Sequence, residues 1–121
     1  MSTSNITIPR RGEVWDINLD PTRGEEIQKT RPAVVISSDA VGKLRVKLIV
    51  PITDWKPFFA ENIWHVLLRP TNINGLTKDS AADALQTRSV SFERFTRKRG
   101  RVTQSEIEEI VQALAAVVEL S

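Results

Sequence analysis

The sequence predicts a β-rich α+β domain: a small, strongly curved antiparallel sheet or barrel closed by one C-terminal amphipathic helix. Three observations point there. Short apolar or alternating stretches recur between residues 12 and 90, separated by turn-forming segments rich in Asp, Pro, Gly and Asn. From Thr103 onward the apolar spacing becomes helical. A chain of 121 residues can bury one real core and is too short for two ordinary ones.

The elements follow in order. Residues 1–9, "MSTSNITIP", lack a basic start followed by an apolar block, so they read as a flexible tail rather than a secretory signal, and residues 10–121 form the single domain. "GEVWDINLD" (12–20) alternates Trp15, Ile17 and Leu19 against Val14, Asp16 and Asn18, the pattern of a half-buried strand with Trp15 in the core. "DPTRGEE" (20–26) is turn chemistry. "PAVVIS" (32–37) reads as a strand buried on both faces or nearly so. "KLRVKLIVPIT" (43–53) sets Leu44, Val46, Leu48, Val50 and Ile52 against Arg45, Lys47 and Ile49 in a third strand, with Pro51 near its end. "ENIWHVLLRP" (61–70) is a fourth, carrying His65 as a structural residue, and Asn74-Gly75 marks a tight turn. "SAADALQTRSV" (80–90) is read as strand from about Ala82, because its setting among short strands outweighs its alanines. "SFERF" (91–95) is a single helical turn and "TRKRGRV" (96–102) a basic connector. Thr103 and Glu106 have capping-box spacing, and Val102 with Ile107 matches a hydrophobic staple. Ile107, Ile110, Val111, Leu114, Val117 and Val118 then form one stripe that covers a side of the sheet.

Composition narrows the chemistry. With 40% hydrophobic and 26% charged residues the chain is an ordinary globular protein, and no apolar run approaches the ~18 residues that span a bilayer, so no membrane partner is expected. Cysteine is absent, which removes disulfides, thiolate nucleophiles and zinc–thiolate sites and fits a cytoplasmic setting. The single histidine excludes a two-histidine acid–base pair and a multi-histidine metal site within one chain, and no metal or cofactor is expected. Residues 1–104 hold 17 basic and 11 acidic groups, whereas Glu106, Glu108, Glu109 and Glu119 beyond them have no basic companion. A basic body of this kind suits a polyanion such as nucleic acid, and suits simple solubility as well.

Three loop-proximal stretches place polar groups beside apolar strands: Glu25 to Arg31, "VPIT" ending at Thr53, and "LQTRSV" (85–90). Pro32 biases Arg31 toward an extended backbone, which fixes the arginine at the mouth of a strand. Arg31 could grip a phosphate bidentately, Thr53 could hydrogen-bond an adjacent oxygen, and Glu26 could accept a proton. Together they suit cleavage of an RNA phosphodiester by its own 2′-hydroxyl, which needs a base and a cation for phosphorane charge and no metal in principle. An arginine beside an exposed glutamate equally makes a surface ion pair.

"RGEVWDINLDPTRGEEIQKTRPAVVIS" (11–37), with "VPIT" (50–53) and "QTRSVSFERF" (86–95), resembles the MazF/PemK family of type II toxin–antitoxin endoribonucleases. The resemblance implies a small SH3-like, CcdB/PemK-like barrel with an appended helix, a homodimer, and metal-independent, sequence-specific cleavage of single-stranded RNA. It further implies products with a 2′,3′-cyclic phosphate and a 5′-hydroxyl, and a cognate antitoxin that blocks the RNA groove. On this alignment Arg31 and Thr53 match the catalytic pair, and Glu26 an acidic position implicated in some members. Lys29, Thr30, Gln86 and Arg88 fall in the matching blocks as RNA-binding candidates, joined by Lys56 in the aromatic loop "DWKPFF" (54–59), whose composition suits base stacking. That loop could instead pack on a partner or on the core. Some relatives carry an acidic residue where this chain has Leu85; Asp83, two residues earlier on the same strand face, is then an alternative base. Lys98, Arg99 and Arg101 could attract RNA or form a solvated linker. Two further readings stay open: a CcdB-like gyrase poison, against which stands the ending "AVVELS" in place of that branch's Trp-Gly-Ile tail, and an inactivated toxin that binds RNA without turnover.

Overall fold

The structure, a computed structural model, describes residues 8–41 and 44–120. Among the described residues seven strands and one α-helix follow each other: β1 Glu13–Asn18, β2 Thr30–Val35, β3 Val46–Asp54, β4 His65–Leu68, β5 Ser80–Asp83, β6 Arg88–Ser91, β7 Phe95–Arg101 and α1 Gln104–Val117. They form one antiparallel sheet in the order β4-β5-β3-β2-β1-β7, with β6 pairing the first half of β3. The terminal strands β4 and β7 do not pair, so the sheet bends like a barrel without closing. Of the expected tail, residues 1–7 lie outside the described residues.

Strand alternation divides the core in two. Val14, Val34, Val50, Ile52, Val66, Leu68 and Ala82 face α1, which returns Ile107, Ile110 and Ala113 to the same cluster. Trp15, Ile17, Leu19, Ala33, Val35, Ile49 and Val90 pack on the other face, joined by Ile27 and Phe95. The helix starts as its sequence requires: the Thr103 hydroxyl accepts from the Glu106 N–H at 3.1 Å and the Glu106 carboxylate accepts from the Thr103 N–H at 2.8 Å. Val102 and Ile107 share the same core cluster. The buried stripe is narrower than expected, for Val111 and Val118 are exposed while Ala113 is buried.

Three expectations are corrected. The strand expected to run on from about Ala82 is two strands, the first starting at Ser80, joined by the 3-10 turn Ala84–Gln86. β5 pairs residues 52–54 of β3 and β6 pairs residues 46–49, so the break falls opposite Val50 and Pro51, and Pro51 has no N–H to give. The basic connector is strand β7, hydrogen-bonded to β1 with two register shifts. Its charges sit against acidic neighbours on β1, Lys98 on Glu13 at 3.0 Å and Arg99 on Asp16. Finally, the third strand begins at Val46 and sheet curvature reverses its first half: Val46 and Leu48, like Leu44 before them, are exposed, whereas Lys47 is buried with its ammonium 6.0 Å from the Phe92 ring centroid. Among the described residues no helix is long and apolar enough to cross a membrane.

Candidate functional site

The site grows from the middle of the sheet. β2 and β3 pair antiparallel through Ala33↔Pro51, Val34↔Val50 and Val35↔Ile49. Extending that register two residues past Ala33 and Pro51 sets Arg31 across from Thr53, on the same sheet face. Both border a cavity of about 230 Å³, walled also by Asp16, Thr30, Lys78 and Arg99. Arg31 is exposed and Thr53 half-buried, so both are open to solvent.

A second recess, about 390 Å³, lies beside it and contains Glu26, Ile27, Pro51, Leu85, Gln86, Thr87 and Arg88. Pro51 and Thr53 are two residues apart on β3 and so share a face, which makes the two hollows neighbours. Predicted site residues therefore divide: Thr30, Arg31 and Thr53 border the first, Glu26, Gln86 and Arg88 the second. Lys29, Lys56 and Asp83 line neither of these two recesses.

The loop between β1 and β2 forms the outer wall of the second recess. It closes on itself where the Asp20 carboxylate accepts from the Lys29 N–H at 2.9 Å and the Leu19 N–H donates to the Lys29 carbonyl at 3.0 Å. Lys29 takes the left-handed φ of 69° there, a conformation that costs a non-glycine residue about 1–2 kcal/mol and that the closed loop sustains. The Glu26 carboxylate accepts from the Arg23 N–H through Oε1. Arg88 donates to the Leu19 carbonyl at 3.1 Å, and Arg94 donates to the Asn18 carbonyl at 2.9 Å and to that of Asp20.

Asp83 is buried and has a partner for each oxygen. Oδ1 accepts from the Leu85 N–H at 3.1 Å, capping the turn Ala84–Gln86, and Oδ2 lies 3.4 Å from Nε2 of His65. Burial pushes the Asp83 carboxyl above its ordinary value, outweighing the His65 charge and the backbone donors that pull it down. Burial also lowers the His65 pKa, against the pull of Asp83. His65 stacks on Phe59 with ring centroids 3.7 Å apart, which ties the loop "DWKPFF" to the core through Phe59 and leaves Phe58 exposed. Among the described residues no three His, Cys, Asp or Glu side chains gather as a metal-holding group.

Sequence reading missed the far wall of the first cavity. Asp16 binds Arg99 at 2.5 Å and Arg97 at 3.2 Å, and Arg99 also donates to the Gly75 carbonyl at 2.9 Å. The available signal was Asp16, an acidic residue within an apolar strand, which becomes informative once β7 is recognised beside it.

Comparison with known proteins identifies the family and the fold. Residues 10–118 match the PemK-like, MazF-like toxins of type II toxin–antitoxin systems. The chain is 38% identical over 122 aligned positions to Endoribonuclease MazF9 of Mycobacterium tuberculosis, covering 92% of this chain and 97% of that protein. It is 36% identical over 69 positions to Endoribonuclease PemK of Escherichia coli, covering 52% of each. In fold it is similar to crystalline MazF of Deinococcus radiodurans, with a TM-score of 0.79 at 20% identity over 94% of this chain and 99% of that one. It is also similar to a mycobacterial endoribonuclease solved with its cognate antitoxin, with a TM-score of 0.73 at 20% identity over 94% and 98% of the two chains. Sequence match and sheet topology converge, and the chain belongs to the PemK/MazF family of type II toxin–antitoxin endoribonucleases.

Proposed function

We propose that this chain is the toxin of such a pair and cleaves single-stranded RNA at specific sites by metal-independent transesterification. One observation carries the reading: Arg31 and Thr53, distant in sequence, border one solvent-open cavity. In the reaction the substrate's 2′-oxygen bonds to phosphorus while the phosphorus–5′-oxygen bond breaks. Glu26 takes the 2′-hydroxyl proton, and the departing 5′-oxygen gains one from water. The products carry a 2′,3′-cyclic phosphate and a 5′-hydroxyl.

Arginine is not deprotonated in proteins, so Arg31 acts as the clamp on phosphorane charge. Thr53 orients the phosphate by donating its hydroxyl, while the nucleophile belongs to the RNA. Glu26 is preferred over Asp83 as base because Glu26 is exposed beside the Pro51–Thr53 face, whereas both Asp83 oxygens are engaged. Lys29, Thr30, Lys56 and Arg88 supply backbone contacts to flanking nucleotides.

On this reading the chain works in the cytoplasm as a homodimer held in check by a cognate antitoxin, as expected of a toxin of this family. The exposed strip Leu44, Val46 and Leu48 is apolar surface that a partner would cover. The test is incubation of purified protein with mixed single-stranded RNA in excess EDTA, with fragment ends mapped. Cyclic-phosphate and 5′-hydroxyl ends, lost in both Arg31→Ala and Thr53→Ala, support the reading. Tight RNA binding without fragments would favour a non-catalytic barrel instead.

A further inference from the structure

Gln86 stands in the wall of the Glu26 recess, where an RNA contact would be expected, yet both ends of its amide are already engaged. Oε1 accepts from the Ile27 N–H at 3.2 Å, and Nε2 donates to the Glu25 carbonyl at 3.1 Å. The two backbone groups flank Glu26. A single side chain from across the fold thus holds the main chain on either side of one exposed carboxylate. Elsewhere the loop is tied at its root, by Arg88 on Leu19, by Arg94 on Asn18 and Asp20 and by the Asp20–Lys29 closure, and within itself by the Arg23–Glu26 turn, while Ile27 packs on the core.

Gln86 is itself fixed from below. The Asp83 carboxylate caps the turn that carries it, and the Thr87 N–H and hydroxyl both return to the Ala84 carbonyl, at 3.3 and 2.6 Å. Asp83 in turn faces His65. A rigid turn therefore presents the amide, and the amide sets the loop.

We propose that Gln86 is a positioning residue rather than an RNA contact: its amide clasps the backbone on both sides of Glu26 and sets that carboxylate against the Arg31–Thr53 pair. The proposal rests on the reading of Glu26 as base. Its chemistry demands one donor and one acceptor at a fixed spacing, which glutamine provides. Glutamate keeps only the acceptor and turns a carboxylate toward the Glu25 carbonyl. Methionine keeps the length and loses both bonds.

The experiment compares wild type, Gln86→Met and Gln86→Glu in two ways. In RNA-free protein, amide hydrogen exchange at Ile27 and tryptic cleavage after Arg23 and Lys29 report the clasp. Loss of both hydrogen bonds should speed both by at least about three- to tenfold in Gln86→Met, with Gln86→Glu, which loses one, between it and wild type. On RNA, kcat should fall with KM little changed. In a Glu26→Gln background the added Gln86→Met should then have no further effect on kcat, because the residue acts through Glu26. A raised KM with unchanged Ile27 exchange would make Gln86 an RNA contact and overturn the proposal. Additive losses in the double mutant would overturn it as well, and so would faster exchange with unaltered kcat. If wild type cuts no RNA, the ribonuclease reading fails on its own, and the positioning role falls with it. The exchange and trypsin results then decide only whether the clasp exists.

Discussion

The carboxylate of Asp16 on β1 holds the guanidinium of Arg99 on β7 at 2.5 Å, in the wall of the cavity that Arg31 and Thr53 border. The Asp16 and Arg99 side chains are 14% and 23% exposed, so the pair is partly desolvated, whereas Arg97 on the other oxygen is 67% exposed. The two ion pairs should differ accordingly. Asp16→Ala breaks both pairs, leaves the half-buried Arg99 guanidinium with the Gly75 carbonyl but no carboxylate, and should cost about 1.5–3 kcal/mol in urea unfolding. Arg97→Ala should cost under about 1 kcal/mol. Equal losses would show that burial does not set the strength of this cluster.

Arg31 is exposed at the strand mouth, so its replacement should spare the fold while removing cleavage. If Arg31 clamps the phosphorane, Arg31→Ala should lower kcat by about 10²–10³-fold, with unfolding midpoints within error of wild type. Arg31→Lys keeps the charge and loses the planar fork, and should recover only a minor part of the rate. Thr53→Ser, which retains the hydroxyl, should stay closer to wild type than Thr53→Ala. Single-turnover cleavage of one defined RNA measures all four. Full rescue by lysine would mean that a point charge suffices.

Much of this architecture was legible because its causes are local. The capping box of Thr103 and Glu106, the Asn74-Gly75 turn and the alternation in β1 are each decided by residues a few positions apart. The failures have non-local causes. β7 was hidden because five of its seven residues, "FTRKRGR", are charged or glycine, and their acidic partners Glu13 and Asp16 lie more than eighty positions away. Alternation in β3 separates two faces without saying which one the sheet will cover, and curvature buried Lys47 while exposing Val46 and Leu48. At the site, spacing and resemblance marked Gln86 as polar and near RNA. Its engagement with a loop about sixty positions back has no sequence signature.

His65 and Asp83 give stability a pH dependence whose sign follows from burial. The folded His65 pKa lies below its ordinary 6.5, so this contribution is present above 6.5 and is lost as pH falls from there toward the folded value. The folded Asp83 pKa lies above its ordinary 3.8, so its contribution is present below 3.8 and is lost as pH rises through the folded value. Unfolding free energy should therefore decline as pH is lowered from 7 through the histidine range. His65→Gln should flatten that decline, since the chain holds one histidine, and it should also free the Asp83 carboxyl of the His65 charge that pulls its pKa down. Urea titrations at closely spaced pH values, with the lone imidazole followed by NMR, provide the check; an undiminished slope in His65→Gln would assign the dependence elsewhere.

Gly100 on β7 shows how the loop before β5 is held against the cavity. A Cβ at Gly100 would lie 1.9 Å from the Ile73 carbonyl oxygen, and one at Gly75, where φ is +71°, would lie 2.4 Å from the Arg99 carbonyl oxygen. Two backbones approach here closer than any side chain permits. The Arg101 N–H donates to Ile73 at 3.0 Å and the Arg99 side chain donates to Gly75. Main-chain oxygen cannot swing aside as a flexible side-chain tip can, so Gly100→Ala must push the 71–75 segment outward and break these bonds. The expected loss is about 1–3 kcal/mol, the usual result of overpacking a fitted contact. Leu76, Thr77 and Lys78 follow that segment directly into the cavity bordered by Arg31 and Thr53, so cleavage should fall along with stability. Gly24→Ala is the matched control for stability, because its added Cβ meets nothing within 4 Å and only its left-handed φ of +58° resists the change. Urea unfolding of the two variants should rank Gly100→Ala as the more damaging, and the reverse order would mean that the β7 contact yields more readily than its geometry implies.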